Sequence, residues 1–459
     1  MYRKQYHIHF VGIGGIGMSG IAELLLNLHY SVSGSDIKES AITRRLARLG
    51  GVIHAGHAPD WVKGADVVVY SSAVRKDNPE LTAAREQGIP VIRRAEMLAE
   101  LMRLKYGIAI SGSHGKTTTT SMVAAVLAQG GLDPTVVIGG KLKGLGSNAK
   151  LGSGEFLVAE ADESDGSFLK MSPAIAVVTN VDREHMDYYT DMEHVKNTFV
   201  EFVDRVPFYG MSILCLDDPV VQDILPKVNK RHVTYGLTPQ ADVRASNLEV
   251  GGAGARFLVE HSGRQLGFVD LNLPGRHNVN NALAAIAVGL ELGIDFSKIA
   301  RALASLEGVA RRMEVKGEKQ GILVLDDYGH HPTEIKATLA AVHDAWPGRR
   351  VLVVFQPHRH SRTKHLFEEF ARAFYQADKV LVLPIYSAGE EPVEGIDAKG
   401  LCSSIRTHGH KNASVAEGLA QAVEKISKTA REGDLVLTLG AGDVWKVGQM
   451  FLGNGEKED

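Results

Sequence analysis

Cysteine is nearly absent from this chain of 459 residues: Cys215 and Cys402 stand far apart and in no C-x-x-C pair. That excludes a disulfide scaffold and cysteine-rich metal centres, and it fits a reducing compartment, expected to be the cytoplasm. Charge of one sign is lacking too. A formal net charge of -3 and a pI near 6.7 give no global attraction to nucleic acid or a membrane surface, so any polyanion must be met by a local site. Long apolar runs are also missing. The first apolar stretch is broken at once by Gly12, Gly14, Gly15 and Gly17, so it reads as a strand and a loop, with neither a signal peptide nor a membrane span. Short-period repeats and low-complexity segments are absent as well.

What is present is a recurring pattern of short apolar strands that run into polar or glycine-rich turns, the signature of α/β layers on parallel sheets. The length suggests about three domains, expected at residues 1–103, 104–310 and 311–459. Strands are expected at His7–Val11, Ser31–Ser35 and Val67–Ser71 in the first, Ile108–Ser111, Phe156–Glu160 and Ile175–Asn180 in the second, and Ile322–Asp326, Val351–Phe355 and Leu435–Leu439 in the third.

The strongest local signal is Ile110-Ser-Gly-Ser-His-Gly-Lys-Thr-Thr-Thr-Thr120. Small residues between a strand and a helix let backbone N–H groups converge on phosphate oxygens, the helix adds its positive end, and Lys116 adds a full charge. Thr117 is placed to ligate Mg²⁺. The usual pattern has a glycine five residues before Gly115, where this chain has Ile110, so only the shorter Gly112-x-x-Gly115-Lys116-Thr117 remains. A second glycine motif, Gly12-Ile-Gly14-Gly15-Ile16-Gly17, follows the first strand, and Asp36 closes the next at the offset of a ribose contact. Taken alone, that fingerprint reads as dinucleotide binding. The same geometry serves any nucleotide diphosphate, because a helix N-terminus sees pyrophosphate and not nicotinamide.

Polar clusters stand at other strand ends. Glu160 ends an apolar strand and is followed by Asp162, Glu163 and Asp165, a placement suited to Mg²⁺ or to a solvated acidic loop. His185 lies after another strand, as a ligand or as a structural histidine. Asn278 and Asn281 open an alanine-rich helix, where amides could read an adenine edge or cap the helix. Asp327, Tyr328 and His330 follow a third strand end. Arg359 and Arg362, three apart after a fourth, suit a carboxylate or phosphate by bidentate bonding.

The stretches GIGGIGMSG, SGSHGKTTTT, AEADESDGSF, TNVDREHMDYY, LPGRHNVNNALAAIAV, DDYGHHPTEI and FQPHRHSRT, spread over essentially the whole chain, resemble the Mur ligase family, and within it the branch that adds L-alanine. The resemblance implies ATP-dependent amide formation through an acyl phosphate in peptidoglycan precursor synthesis, with UDP-N-acetylmuramate, L-alanine and ATP as small-molecule substrates and Mg²⁺, or Mn²⁺, as the metal. It implies a Rossmann-like UDP-binding domain, a P-loop ATPase-like central domain and a Rossmann-like C-terminal domain. Carried over by position, Gly112, Ser113, His114, Gly115, Lys116, Thr117 and Thr118 would hold ATP phosphate, Asn278 and Asn281 would face adenine, and Arg312 would reach the γ-phosphate, with Asp327 also on the nucleotide side. Thr117, Glu160 and His185 would hold metal. Gly14, Gly15, Ile16, Gly17, Asp36, His57, Ser71 and Arg93 would bind the UDP part, and Asn148 the muramoyl end. Tyr328, His330, Arg359 and Arg362 would surround the alanine, with Lys116, Arg312 and His330 catalytic. Several relatives carry a carbamylated lysine after the HMD segment, and Val195–Val200 has none at the usual spacing; His360 stands where tyrosine is expected.

Overall fold

The computed structural model describes residues 6–71, 73–138, 149–186, 188–252, 254–306 and 308–453, so Asn148 lies outside the described residues. The chain forms two compact units, one of Met1–Asn247, Phe257–Val269 and Asn280–Glu307, the other of Leu248–Arg256, Asp270–Val279 and Gly308–Asp459.

The first sheet has five strands: β1 His7–Val11, β2 Ser31–Asp36, β3 Val52–Ala55, β4 Val67–Tyr70 and β5 Val91–Arg93, in the order β3-β2-β1-β4-β5 and parallel throughout. The order reverses between β1 and β4, and at such a point the crevice beyond the carboxyl ends of the two strands is where ligands bind. The glycine turn leaves β1 there, and Ser71 leaves β4. Helix Ile16–Asn27 starts directly from the turn and buries Met18, Ile21, Leu24 and Leu25 against the sheet.

The second sheet begins with β6 Tyr106–Ser111, β7 Thr135–Val137, β8 Ala149–Lys150, β9 Phe156–Glu160 and β10 Ile175–Val178. It continues with β11 Met211–Cys215, β12 His232–Gly236, β13 Val243–Gly251, β14 Gly254–His261 and β15 Arg264–Leu271. The order is β15-β14-β13-β12-β11-β10-β6-β9-β7-β8. β6 lies between β9 and β10, parallel to both. Every residue of β10 is buried, which explains its unbroken apolar sequence, since a parallel strand covered on both faces has no solvent side to alternate with. The third sheet comprises β16 Glu314–Lys319, β17 Ile322–Asp327, β18 Val351–Phe355, β19 Lys379–Val382, β20 Ala413–Val415 and β21 Leu435–Leu439. Its order is β16-β17-β21-β18-β19-β20, with only β16 antiparallel to its neighbour. No helix among the described residues is long and apolar enough to cross a membrane.

Below the acidic loop after β9, Phe168 is fully buried, stacked on Phe202 at 4.7 Å between ring centroids and edge-on to Phe199 at 5.5 Å. This aromatic cluster anchors the loop that carries the carboxylates. Phe168→Ala should lower stability by about 3–5 kcal/mol in denaturant unfolding; a loss below about 1 kcal/mol would show that the loop is held by other contacts.

Candidate active site

The loop between β6 and helix Lys116–Gly130 is built around two left-handed glycines. Gly112 has φ 128°, and a Cβ there would lie 2.2 Å from Thr179 Oγ1; Gly115 has φ 82°, and a Cβ would lie 2.6 Å from Asn281 Oδ1. Both positions therefore exclude a side chain by conformation and by space. The loop is held from β10's end. Asn180 Oδ1 accepts from His114 N at 2.8 Å, Ser113 Oγ accepts from Asp182 N at 2.8 Å, and Thr179 Oγ1 donates to His114 O at 2.6 Å. His114 Nε2 also meets Asp182 Oδ2 at 3.0 Å. No side chain caps the helix at Gly115, which suits the binding of an anion. Thr117 and Thr118 occupy its first turn, with Thr118 buried.

Lys116 folds back over this loop. Its Nζ donates to Gly112 O at 2.5 Å and to both Glu163 oxygens at 2.9 Å. Burial alone would disfavour the ammonium, but the charges of Glu163 and Asp162 outweigh it and hold Lys116 protonated well above the ordinary lysine range. Burial pushes the Glu163 carboxyl up, against the pull of Lys116. Asp162 is held down to about 2: burial opposes its charge, and Lys116 and Arg94 prevail. Arg94 Nη2 donates to Asp162 Oδ2 at 3.1 Å, and Arg93 Nη1 to Asp165 Oδ2 at 3.0 Å. The acidic loop is thus an array of paired carboxylates rather than a solvated face. Arg94, which the sequence did not single out, had no motif to mark it.

A cavity of about 280 Å³ opens between these groups and the first sheet, lined by Gly15, Gly17, Ser71, Arg94, Lys116, Glu160 and Asp162. A side chain at Gly17 would reach Arg94 Nη1 at 2.9 Å. Beside the phosphate loop, single ligand atoms of Glu163, Glu184 and His185 lie within 4.8 Å of one another. Carboxylate oxygens suit Mg²⁺, and an imidazole admits Mn²⁺, so this donor set fits a divalent ion. Of the expected metal residues, His185 falls in this group and Glu160 lines the cavity instead. The sequence offered Glu163 only as one of two alternatives and did not mark Glu184.

At the first sheet's glycine turn, helix Ile16–Asn27 begins one residue after Gly15. Asp36 Oδ2 accepts from Gly14 N at 2.8 Å, so this carboxylate braces the turn. His57 Nδ1 meets Glu80 Oε1 at 3.0 Å, and Arg93 Nε points to Tyr70 Oη at 3.4 Å. The two asparagines make internal bonds: Asn278 Nδ2 donates to Pro274 O at 2.8 Å, and Asn281 Oδ1 accepts from Thr119 Oγ1 at 3.1 Å.

In the other unit, the carboxyl ends of β17, β18 and β21 bring a second set together. Arg311 serves the fold: its guanidinium donates to Asp326 Oδ2 at 2.9 Å, Gly440 O at 2.5 Å and Gly442 O at 3.2 Å. Arg312 makes a looser pair with Glu334 at 3.6 Å, over the Tyr328 ring. Asp327 is buried and accepts from Met313 N, Gly329 N and Thr338 Oγ1 at 2.8, 2.8 and 3.2 Å, which places it as the brace of its own turn. His330 Nδ1 lies 3.0 Å from Tyr328 O and 3.4 Å from Glu334 Oε2, and the His330 backbone N–H donates to Glu334 Oε2 at 2.9 Å. His330 packs edge-on to His358 at 5.8 Å, and His358 stacks on Tyr386 at 5.5 Å. Arg362 Nη1 approaches His358 Nδ1 at 3.4 Å. Arg359, at φ 69°, holds its place through its N–H to Tyr386 O at 2.8 Å. Burial, with the neighbouring His330, Arg362 and Arg359, pushes His358 down to about 3.

Three family models match successive parts of the chain: "Mur ligase family, catalytic domain" over residues 7–106, "Mur ligase middle domain" over 110–289 and "Mur ligase, glutamate ligase domain" over 311–442. A UDP-N-acetylmuramate–L-alanine ligase of Desulfatibacillum aliphaticivorans is 66% identical over 452 residues, covering 98% of this chain and 99% of that protein. Among solved structures, the UDP-N-acetylmuramate–alanine ligase of Thermotoga maritima superposes with a TM-score of 0.82 at 31% identity, over 98% of each chain. A murein peptide ligase of Psychrobacter arcticus gives 0.71 at 25% identity, again over 98% of each.

Because His358 is held neutral in the fold to about pH 3, whereas an ordinary imidazole takes up its proton near 6.5, the unfolded chain binds more protons between those limits. Its contribution to stability is complete above pH 6.5 and is lost as pH falls toward 3. His358→Gln should flatten the acid-side fall of the unfolding midpoint in that window; an unchanged slope would place the acid sensitivity elsewhere.

Proposed function

This chain belongs to the Mur ligase family, and from that premise we propose that it joins L-alanine to the lactoyl carboxylate of UDP-N-acetylmuramate with consumption of ATP, in peptidoglycan precursor synthesis. The reaction is assigned to the cytoplasm. The observation that carries the reading is the cavity in which the first sheet's glycine turn and Ser71 meet Lys116, Arg94 and Glu160. A sugar nucleotide seated on the turn would extend its acid toward the phosphate loop. The domain limits near 103 and 311 and the carried-over roles of individual residues belong to this proposal.

A carboxylate is a poor acyl donor; transfer of the γ-phosphoryl group makes an acyl phosphate that an amine can attack. Both reactants are anions, so their approach needs positive charge. Lys116 supplies it at the phosphate loop, exchanging Glu163 for phosphate oxygen, and Arg94 supplies it at the cavity wall; Arg312 is the cation assigned to the γ-phosphate. Mg²⁺, when bound, would neutralise phosphate charge, with Thr117, Glu160, His185 and the adjoining Glu163 and Glu184 as the available donors. Asn278 and Asn281 are kept as the adenine contacts. Arg359 and Arg362 are assigned the carboxylate of alanine, beside Tyr328. His330 would orient the amine or accept its proton.

The direct test is phosphate release with ATP, Mg²⁺ and UDP-N-acetylmuramate, which should depend on L-alanine; release driven by a murein tripeptide in place of alanine would move the chain to the recycling branch. Lys116→Ala should abolish turnover and leave UDP-sugar affinity nearly unchanged, and turnover surviving within a factor of about ten would sink the phosphate-loop assignment. Arg362→Lys keeps the charge but loses the planar fork. It should raise the alanine KM strongly while acyl phosphate still forms, as read by positional isotope exchange in ATP. Loss of exchange with an unchanged alanine KM would instead assign the arginine to phosphoryl transfer.

A further inference from the structure

The first sheet contains a buried charge that the reaction outlined above leaves unused. Glu80, in the first turn of helix Pro79–Glu86, has no exposed surface. Four donors converge on it. Oε1 accepts from His57 Nδ1 at 3.0 Å and Ala58 N at 3.2 Å, and Oε2 accepts from His9 Nε2 at 2.8 Å and Ser35 Oγ at 2.8 Å. Burial alone would push this carboxyl up, but the bonds from His9, Ser35 and His57 bring it below the usual range. His57 Nδ1 also lies 3.1 Å from Ser35 Oγ; with the Ser35 hydrogen given to Glu80 Oε2, His57 Nδ1 directs its own hydrogen to Glu80 Oε1, because an ionised carboxylate can only accept.

Beyond His9 the chain of bonds continues outward. His9 Nδ1 and His7 Nε2 each lie 2.7 Å from Ser33 Oγ, and His7 Nδ1 lies 3.0 Å from Gly64 O. Gly64 O at one end and Glu80 at the other can only accept, so His7 Nδ1 and His9 Nε2 are both donors. Ser33 has one hydrogen to give to the two inward nitrogens. Ser33 Oγ thereby links the two rings, and the network as a whole holds His9 Nε2 against the carboxylate. The carboxylate is held inside the sheet with each oxygen met by two donors.

Resting on the reading that UDP-N-acetylmuramate binds at this sheet, we propose that Glu80 is a positioning residue for that substrate, fixing His57 with Nδ1–H inward and Nε2 presented as a hydrogen-bond acceptor. His57 follows Gly56, whose N–H bonds Asp36 O at 2.7 Å, so the ring stands at the carboxyl edge near the glycine turn, with its side chain 20% exposed. An acceptor there selects a donor on the nucleotide, either the uracil imide N–H or a ribose hydroxyl.

In the full chain, Glu80→Gln keeps the shape but brings an N–H donor where only acceptors fit. The KM for UDP-N-acetylmuramate should rise about tenfold, with kcat and the KM for ATP moving less than about twofold. His57→Asn should do the same, and the double variant should be no worse than the worse single one, because both act through one ring. Nitrogen-15 spectra of wild type, with His57 assigned by its loss in the Asn variant, should show a bare Nε2, which decides the matter even if Glu80→Gln fails to fold. A 3-methyluracil or 2′-deoxyribose analogue should lose affinity for wild type and not for His57→Asn, which identifies the donor. Additive effects in the double variant, a hydrogen on Nε2, or an unmoved UDP-sugar KM overturns the proposal. If wild type binds no UDP-sugar, the proposed function falls first; normal binding by wild type with those results overturns only the role of Glu80.

Discussion

Parallel pairing is the constraint on which the rest of this molecule depends. Strands that run the same way must each be followed by a crossover, so every loop leaving a strand's carboxyl end emerges at one edge of its sheet, and the next helix starts there with its N–H groups facing outward. The first sheet gathers the glycine turn, Asp36, His57 and Ser71 at that edge. The second gathers the phosphate loop, Glu160 with its acidic neighbours, and the Thr179–His185 segment. The third gathers Asp327 to His330, Arg359 and Arg362, and Gly440. Chemistry-bearing residues far apart in the chain become neighbours because the sheet allows no other exit.

The same constraint explains what the sequence made legible. Apolar runs covered on both faces carry their own limits, and β1, β9, β18 and β21 have the expected bounds, while most of the others differ by a residue or two at the ends where strand hydrogen bonding stops. The three sheets, the two glycine turns and the polar strand ends were all visible. What sequence could not show is which partner a polar group takes. Glu163 pairs with Lys116 across 47 residues and Glu80 with His9 across 71, separations no local pattern encodes. Asp36 and Asp327 stand where a ligand-binding carboxylate is expected, and each accepts from backbone N–H groups of a nearby turn, a bracing contact that no local pattern announces.

The buried ions share a common logic. Lys116 with Glu163 and Glu80 with His9 form sets in which each carboxylate oxygen meets a donor. Such sets contribute little net stability over an apolar filling, but removing one member leaves the other uncompensated. Their value lies in direction, since a side chain bound on several sides has one rotamer, one tautomer and one protonation state to offer an incoming molecule.

Arg359 carries a different cost. Its φ of 69° lies in a region that a side chain with a Cβ seldom occupies, and such a residue gives up about 1–3 kcal/mol. Glycine would relax the backbone and delete the guanidinium in the same step. On the proposed role of Arg359 at the alanine carboxylate, the position sets thermal robustness against catalytic competence: a screen that rewards heat tolerance alone would be drawn toward small residues there, and on that proposal a screen for cell-wall synthesis would restore the arginine. Natural sequences drifting under weak selection for stability would not be expected to find a compromise, because no other side chain supplies both the forked charge and a relaxed backbone.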